Sequence, residues 1–248
     1  MNLEFSDLTD RGLVRANNED TVLVDADHGL AVLADGMGGY QAGEVASALA
    51  VDQIAGELRR WLASNAAPDM GELRRAVASS VDSANRKILA TAQADPACAG
   101  MGATLVMAVA QGAKLLVGHA GDSRAYRWRA GKLVQLTRDH SLLQEQIDRG
   151  LLTPRQAARS ASRGLVTRAL GVEARVLLDM QEVPMFPGDI YLLCSDGLTD
   201  MLRDARIAAL VKRPLPLDQL ARELIDGANH AGGYDNVSVA LIRARVGN

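Results

Sequence analysis

Four aspartates stand at the ends of apolar runs, and that placement limits what this chain can fold into more than any other feature. Asp35 follows Leu30-Ala31-Val32-Leu33-Ala34, and Asp196 follows Ile190-Tyr191-Leu192-Leu193-Cys194-Ser195. Asp122 comes after Leu115-Leu116-Val117-Gly118, and Asp235 precedes Val237-Ser238-Val239-Ala240-Leu241. Short continuous apolar runs read as strands buried on both faces, and an unpaired carboxylate buried at such a strand end is costly. Several of them gathered together repel one another unless cations neutralise them. Oxygen ligands without His or Cys companions point to Mg²⁺ or Mn²⁺ rather than zinc. Two of the aspartates precede glycine, as Asp35-Gly36 and Asp196-Gly197. Asp-Gly is a common turn pair, and glycine also lets a backbone carbonyl approach a cation closely, so the turn and ligand readings are compatible.

Between these runs the chain alternates blocks of strands with long helices. Thr21–Val24 and Gly29–Ala34 read as strands around a turn, the second stopping at the glycine cluster Asp35-Gly36-Met37-Gly38-Gly39. Val51, Ile54, Ala55, Leu58 and Trp61 recur at helical spacing, as do Leu73, Val77, Val81, Ala84 and Ile88 within a second helix near Met70–Ala92. Strand-like runs follow at Ala103–Ala110 and Lys114–His119, and Arg124–Trp128 with Lys132–Leu136 forms a hairpin pattern. The segment from about Asp139 to Arg168 departs from this pattern, with five arginines and Pro154 at a helix start, and reads as a helical flap over the main sheet. Strands resume at Asp189–Cys194 and Val237–Arg243, with an amphipathic helix through Leu217, Leu220, Ala221, Leu224 and Ile225 between them. Blocks of strands separated by helices indicate α+β, with antiparallel sheets covered by helices, in one domain over 1–248. Hydrophobic residues are 48% but aromatics only 3%, so the core is built from Ala, Val, Leu and Ile.

Composition also excludes partners. A net charge of -3 and a pI of about 5.8, with no basic stripe, argue against nucleic acid. Cys98 and Cys194 are far apart and fit a reducing compartment. No apolar run reaches the roughly 18 residues of a membrane span. The N-terminus, with Glu4, Asp7 and Asp10, lacks the pattern of a signal peptide. The expectation is a cytoplasmic monomer with no membrane partner and, since the last strand ends near Asn248, no appended sensor or tail.

Six motifs carry a resemblance: Arg15-Ala16-Asn17-Asn18-Glu19-Asp20, Asp35-Gly36-Met37-Gly38-Gly39 with Gly43-Glu44, Gly102-Ala103-Thr104, Gly121-Asp122-Ser123-Arg124, Ser195-Asp196-Gly197 and Asp235-Asn236-Val237-Ser238. Their order resembles that of the type 2C, or PPM, metal-dependent protein phosphatases, in a bacterial form, over about Asp7 to Ile242. The resemblance implies two stacked antiparallel sheets flanked by helices, a four-layer α-β-β-α sandwich, and hydrolysis of phosphoserine and phosphothreonine by a water held between two divalent metals. It implies that Asp35 bridges two Mn²⁺ or Mg²⁺ ions, that Gly36 offers its carbonyl to the second, and that Asp196 and Asp235 complete the first. Glu19 or Asp20 supports the second ion, and the sequence does not distinguish them. Asp122 resembles a ligand of a third, weaker ion, and Arg15 the clamp on the substrate phosphate, a role its planar fork suits.

Two departures from the family pattern matter. Met37 stands where many eukaryotic relatives place a histidine thought to protonate the leaving group; methionine has no proton to give, so the expected donor is a water on the cations. Ser160-Ala161-Ser162-Arg163-Gly164 replaces a His-Pro-like stretch of the flap, which makes substrate preference unsafe to carry over. His140 reads as a structural hydrogen-bonding residue at the start of the flap, and the Arg149, Arg155, Arg159, Arg163 and Arg168 series reads mostly as a solvated face. The competing functions are a catalytically inactive phosphatase-fold module that binds phosphoproteins, disfavoured by the complete aspartate set, and a two-metal phosphodiesterase or nuclease, disfavoured by the lack of histidine ligands and of a basic groove. The expected partners are phosphorylated proteins, the targets of a serine/threonine kinase.

Overall fold

Alternation along the apolar runs decides the layering. The structure is a computed structural model, and it describes all residues except 40–41, 66, 158–159, 161–163 and 247–248. From the N-terminus come β1 (Asn2–Asp10), β2 (Asp20–Asp25) and β3 (Leu30–Met37), then two long helices, α1 (Ala42–Ser64) and α2 (Met70–Ala94). The short β4 (Gly102–Ala103) leads into β5 (Leu105–Gln111), β6 (Lys114–Ala120), β7 (Arg124–Arg129) and β8 (Lys132–Gln135). Two small helices, α3 (Leu142–Asp148) and α4 (Pro154–Ala157), lie in the expected flap, followed by β9 (Asp179–Pro184) and β10 (Ile190–Cys194). Next come α5 (Asp196–Thr199), α6 (Asp204–Val211) and α7 (Leu217–His230), and then β11 (Val237–Arg245). One sheet has the order β1-β11-β10-β7-β8 and the other β2-β3-β5-β6-β9, with β4 paired to β3. Neighbouring strands are antiparallel throughout both.

Strand β3 shows how the layers arise. Leu30, Val32 and Ala34 pack with Ile54 and Leu58 of α1 and Leu73 and Ile88 of α2. The intervening Ala31 and Leu33 pack instead with Tyr191, Leu193, Ala240 and Ile242 of the facing sheet. The far side of that sheet, including Leu192, Cys194, Val239 and Leu241, is covered by Ile207 and Leu210 of α6 and Leu220 and Leu224 of α7. The result is the expected four-layer α-β-β-α sandwich. Alanines 31, 108, 125 and 240 lie between the sheets, which suits an aromatic-poor chain, and Tyr126 and Tyr191 are the largest fully buried side chains.

The second helix begins where Asp69 accepts from the amide of Glu72 while the Glu72 carboxylate accepts from the amide of Asp69, a reciprocal cap. Two strands have no counterpart in the sequence reading. Both β1 and β9 are edge strands, and their charged residues (Glu4, Asp7, Asp10, Asp179 and Glu182) dilute the apolar alternation that announces an interior strand. Among the described residues, no helix is long and apolar enough to cross a membrane.

Candidate metal centre

Antiparallel pairing brings the end of one strand beside the start of the next, so the motif residues gather at one end of the sandwich. Asp20 opens β2 and lies opposite Asp35 near the end of β3. In the other sheet, Asp196 follows β10, and Asp235 comes just before the neighbouring strand β11. Asp122 sits in the turn between β6 and β7, which links the two sheets.

Small polar residues fix the backbone beneath these carboxylates. The Asp35 amide donates to Thr104 Oγ1 at 3.2 Å, and the Thr104 amide returns a bond to the Asp35 carbonyl at 2.9 Å. Ser195 Oγ donates to Asp20 Oδ2 at 2.8 Å and accepts from the Ser238 amide at 3.0 Å, tying β2 to β10 and β11. Asn236 is the central tie: its Oδ1 accepts from the Glu19 amide at 2.8 Å, and its Nδ2 donates to the carbonyls of Arg11 and Asn17, each at 2.9 Å. Thr104, Ser195 and Asn236 lie inside the sequence motifs, but nothing in composition or period marked them as the residues that hold the loops together.

Glycine follows two of the aspartates because neighbouring backbone leaves no room for a side chain. A Cβ on Gly36 would stand 2.0 Å from the Gly43 carbonyl oxygen, and one on Gly197 2.0 Å from that of Asn236. The structure also separates Glu19 from Asp20. Asp20 is buried and belongs with Asp35 and Ser195, whereas the Glu19 carboxylate lies against Gly43, near Gly36. Arg15, half exposed at the rim, donates from Nη2 to Asp235 Oδ2 at 2.7 Å. Asp122 and Asp196 both line a cleft of about 1240 Å³ whose far wall includes Gln144 and Ile147 of α3.

Electrostatics reflect the crowding. Burial, then repulsion from Asp20, Asp196, Asp122 and Asp235, pushes the Asp35 carboxyl well above the usual range. Asp196 is likewise pushed well up, by burial and then by Asp122 and Asp235. Burial raises Asp20 and Asp122 to about 6 each. Asp20 Oδ1 is buried without a hydrogen-bond partner. An all-oxygen anionic donor set with a buried, unpartnered oxygen fits hard divalent cations.

The chelated protein should be more stable at acid pH than at neutral pH. With folded-state pKa values near 6 against about 4 in the unfolded chain, the folded state holds more protons between those limits. Stability therefore falls as pH rises through that window and stays lower above it. The protein in EDTA is expected to melt about 5 °C higher at pH 5 than at pH 7.5, for a difference of about 2 kcal/mol after discounting for water in the cleft. Asp20→Asn should shrink the difference, and adding Mn²⁺ at pH 7.5 should remove it. Equal melting temperatures at the two pH values in EDTA, read by scanning fluorimetry, would contradict the crowded-carboxylate account.

Within residues 139–168, Arg149 pairs with Glu145 on an exposed helix face, as expected of a solvated residue. Arg155 lines the cleft and Arg168 pairs with Asp179 of β9. Arg159 and Arg163 lie outside the described residues, as does most of the Ser160–Gly164 stretch. Met37 is half-buried and pairs with Gly102 of β4.

Residues 14–233 match the family model described as protein phosphatase 2C. The serine/threonine protein phosphatase PstP of Mycobacterium tuberculosis is 40% identical over 240 residues, covering 96% of this chain and 44% of that protein. The serine/threonine phosphatase stp of Listeria innocua is 36% identical over 245 residues, covering 98% of this chain and 95% of its own. The chain thus spans less than half the length of the first relative and nearly all of the second. Among solved structures, the catalytic domain of PstP in complex with two manganese ions superposes with a TM-score of 0.86 at 38% identity, covering 98% of this chain and 99% of that one. The S. agalactiae serine/threonine phosphatase reaches a TM-score of 0.91 at 36% identity, covering 98% of this chain and 100% of that one.

Proposed function

The chain belongs to the protein phosphatase 2C family, and from that premise we propose that it hydrolyses phosphoserine and phosphothreonine in protein substrates. The observation that carries the reading is the set of crowded carboxylates at one end of the sandwich, with Asp35 and Asp196 pushed well up and Asp20 Oδ1 lacking a partner. Bound there, two Mn²⁺ or Mg²⁺ ions supply a nucleophilic water at neutral pH and neutralise charge on the phosphoryl group. Asp35 would hold both ions, Asp196 and Asp235 would hold the first, and the Gly36 carbonyl would hold the second with Glu19 beside it. Asp20 backs Asp35 from the neighbouring strand. Asp122, sharing the cleft with Asp196, would hold a third and weaker ion.

Arg15 at the rim exchanges its contact with Asp235 for the substrate phosphate and orients it with parallel hydrogen bonds. Met37 offers no proton, so the departing serine or threonine oxygen takes its proton from water. The whole chain acts as one catalytic domain, with residues 139–168 as a flap over the cleft. Targets of a serine/threonine kinase, a monomeric state, a cytoplasmic setting and a bacterial origin complete the reading; the bacterial relatives support the last of these. A module that only binds phosphoproteins is disfavoured by the intact aspartate set, and a nuclease by the acidic cleft, which repels a polyphosphate.

The test is hydrolysis of a phosphothreonine peptide with Mn²⁺ and with EDTA, beside a phosphotyrosine peptide and a phosphodiester. Wild type is expected to cleave the phosphothreonine peptide preferentially and only with metal. Arg15→Ala is expected to raise KM about tenfold, with a smaller fall in kcat, because the clamp also acts in the transition state. Full activity in protein shown by elemental analysis to be metal-free would sink the mechanism. A wild-type KM for Arg15→Ala would remove Arg15 as the clamp.

A further inference from the structure

Away from the aspartates, the described residues His119, His140 and Asp179 bring ligand-type atoms close together. They do not form a second cation site. Arg168 Nη1 lies 3.0 Å from His140 Nε2 and 2.7 Å from Asp179 Oδ1, so a guanidinium already stands where a metal would. The two imidazoles are stacked, with centroids 4.5 Å apart and planes 8° from parallel, so their in-plane lone pairs do not converge on one point.

Proton bookkeeping at His140 gives this group a different role. The Gly121 amide lies 3.1 Å from His140 Nδ1, and a backbone amide can only donate, so Nδ1 is the acceptor. The proton of the neutral ring is then on Nε2, directed at Asp179 Oδ2 at 3.3 Å. That proton leaves no acceptor on Nε2 for Arg168, whose Nη1 instead serves Asp179 and the Leu177 carbonyl at 3.1 Å. The main-chain amide of His140 donates to the Gly121 carbonyl at 2.9 Å, so His140 grips Gly121 from both sides. His119 is fixed behind it by a 2.8 Å bond from Nε2 to the Arg138 carbonyl.

Gly121 is the residue before Asp122. It has φ +116° and lies so close to Thr104 that a Cβ would stand 2.7 Å from the threonine Cβ, so the turn has one way to sit. On the flap side, the His140 carbonyl accepts from the Thr167 amide at 2.8 Å and Leu142 donates to the Leu165 carbonyl at 2.9 Å. The two stems of the flap and the Asp122 turn therefore meet at one residue, His140.

We propose that His140 is a positioning residue whose Nδ1, braced by His119 and the Asp179–Arg168 pair, fixes Gly121 and so aims the Asp122 carboxylate at the third cation. The proposal rests on the assignment of Asp122 made above. It predicts that what matters is an acceptor at the Nδ1 position, and two near-isosteric variants separate that from mere packing. In His140→Asn the amide oxygen takes the place of Nδ1 and keeps the Gly121 contact. In His140→Gln the polar end reaches the Nε2 position toward Asp179 and the Gly121 contact is lost.

Mn²⁺ binding is followed by calorimetry on the full chain, with turnover of a phosphothreonine peptide across the same titration. His140→Asn is expected to bind as wild type does. His140→Gln is expected to weaken the low-affinity Mn²⁺ phase about tenfold, as loss of an orienting partner does, and to leave the tight phase in place. Asp122→Asn should remove the low-affinity phase, and adding His140→Gln to it should cost nothing more. If Asp122→Asn keeps that phase, the third-cation assignment falls and this proposal with it. If Asp122→Asn loses it while His140→Gln binds as wild type does, His140 alone is wrongly assigned. Equal damage in His140→Asn and His140→Gln would also overturn the proposal, because the Gly121 contact would then not be what counts.

Discussion

Asp35→Ala is expected to lower turnover of a phosphothreonine peptide by about a thousandfold or more and to abolish tight Mn²⁺ binding in calorimetry. Asp35 lies near the end of β3, and its amide and carbonyl are both bonded to Thr104, so truncating the side chain leaves the strand where it is. What disappears is a carboxylate that burial and four neighbouring aspartates push well above its ordinary range. Removing it relieves repulsion in the chelated protein and removes the anchor of the loaded one. The two states should therefore respond with opposite sign. In EDTA at pH 7.5 the variant should melt at or above wild type, and the rise in melting temperature on adding Mn²⁺, which follows from binding to the folded state alone, should be lost. A variant that melts lower in EDTA but keeps its Mn²⁺-induced rise would show that Asp35 is a structural residue and that the cations are held elsewhere.

The legible part of this molecule is the part where polarity changes abruptly. Asp35, Asp122, Asp196 and Asp235 were visible because each interrupts or borders an apolar run, and such runs are strands whose interior has no use for a charge. Helices α1, α2 and α7 were visible from periodic apolar residues, and α2 begins at the cap formed by Asp69 and Glu72. The edge strands β1 and β9 were not, because a strand exposed along one side carries charges that dilute the alternation. Glu19 and Asp20 are adjacent and acidic, so nothing in their residue types ranks them, whereas in the fold Asp20 opens β2 and faces Ser195 while Glu19, just before the strand, lies against Gly43. The ties made by Asn236 and the grip of His140 on Gly121 join residues far apart in the chain through small polar contacts, which have no period and no composition signal.

Gly197→Ala is the second large expected effect, and here two physical arguments predict opposite signs. Gly197 lies inside α5, and by helix propensity alone alanine should stabilise that position by about 1 kcal/mol. Sterically, the new Cβ would stand 2.0 Å from the Asn236 carbonyl oxygen and 2.9 Å from its carbon, both backbone atoms that cannot rotate away. Asn236 in turn holds the Glu19 amide and the carbonyls of Arg11 and Asn17, so displacing it moves Asp235, the entry to β11 and the loop that carries Arg15. The steric effect should dominate, with a loss of about 3 kcal/mol and a melting temperature lower by about 9 °C. Turnover should fall about a hundredfold, because ligands and clamp shift together. Gly56→Ala in α1 provides the contrast, since its Cβ would meet only the flexible end of Arg60 at 3.6 Å. That variant should melt slightly higher and keep full activity. If Gly197→Ala also melts at or above wild type with full turnover, the glycine after Asp196 is a matter of local chain conformation, and the close approach of Asn236 does not constrain the metal centre.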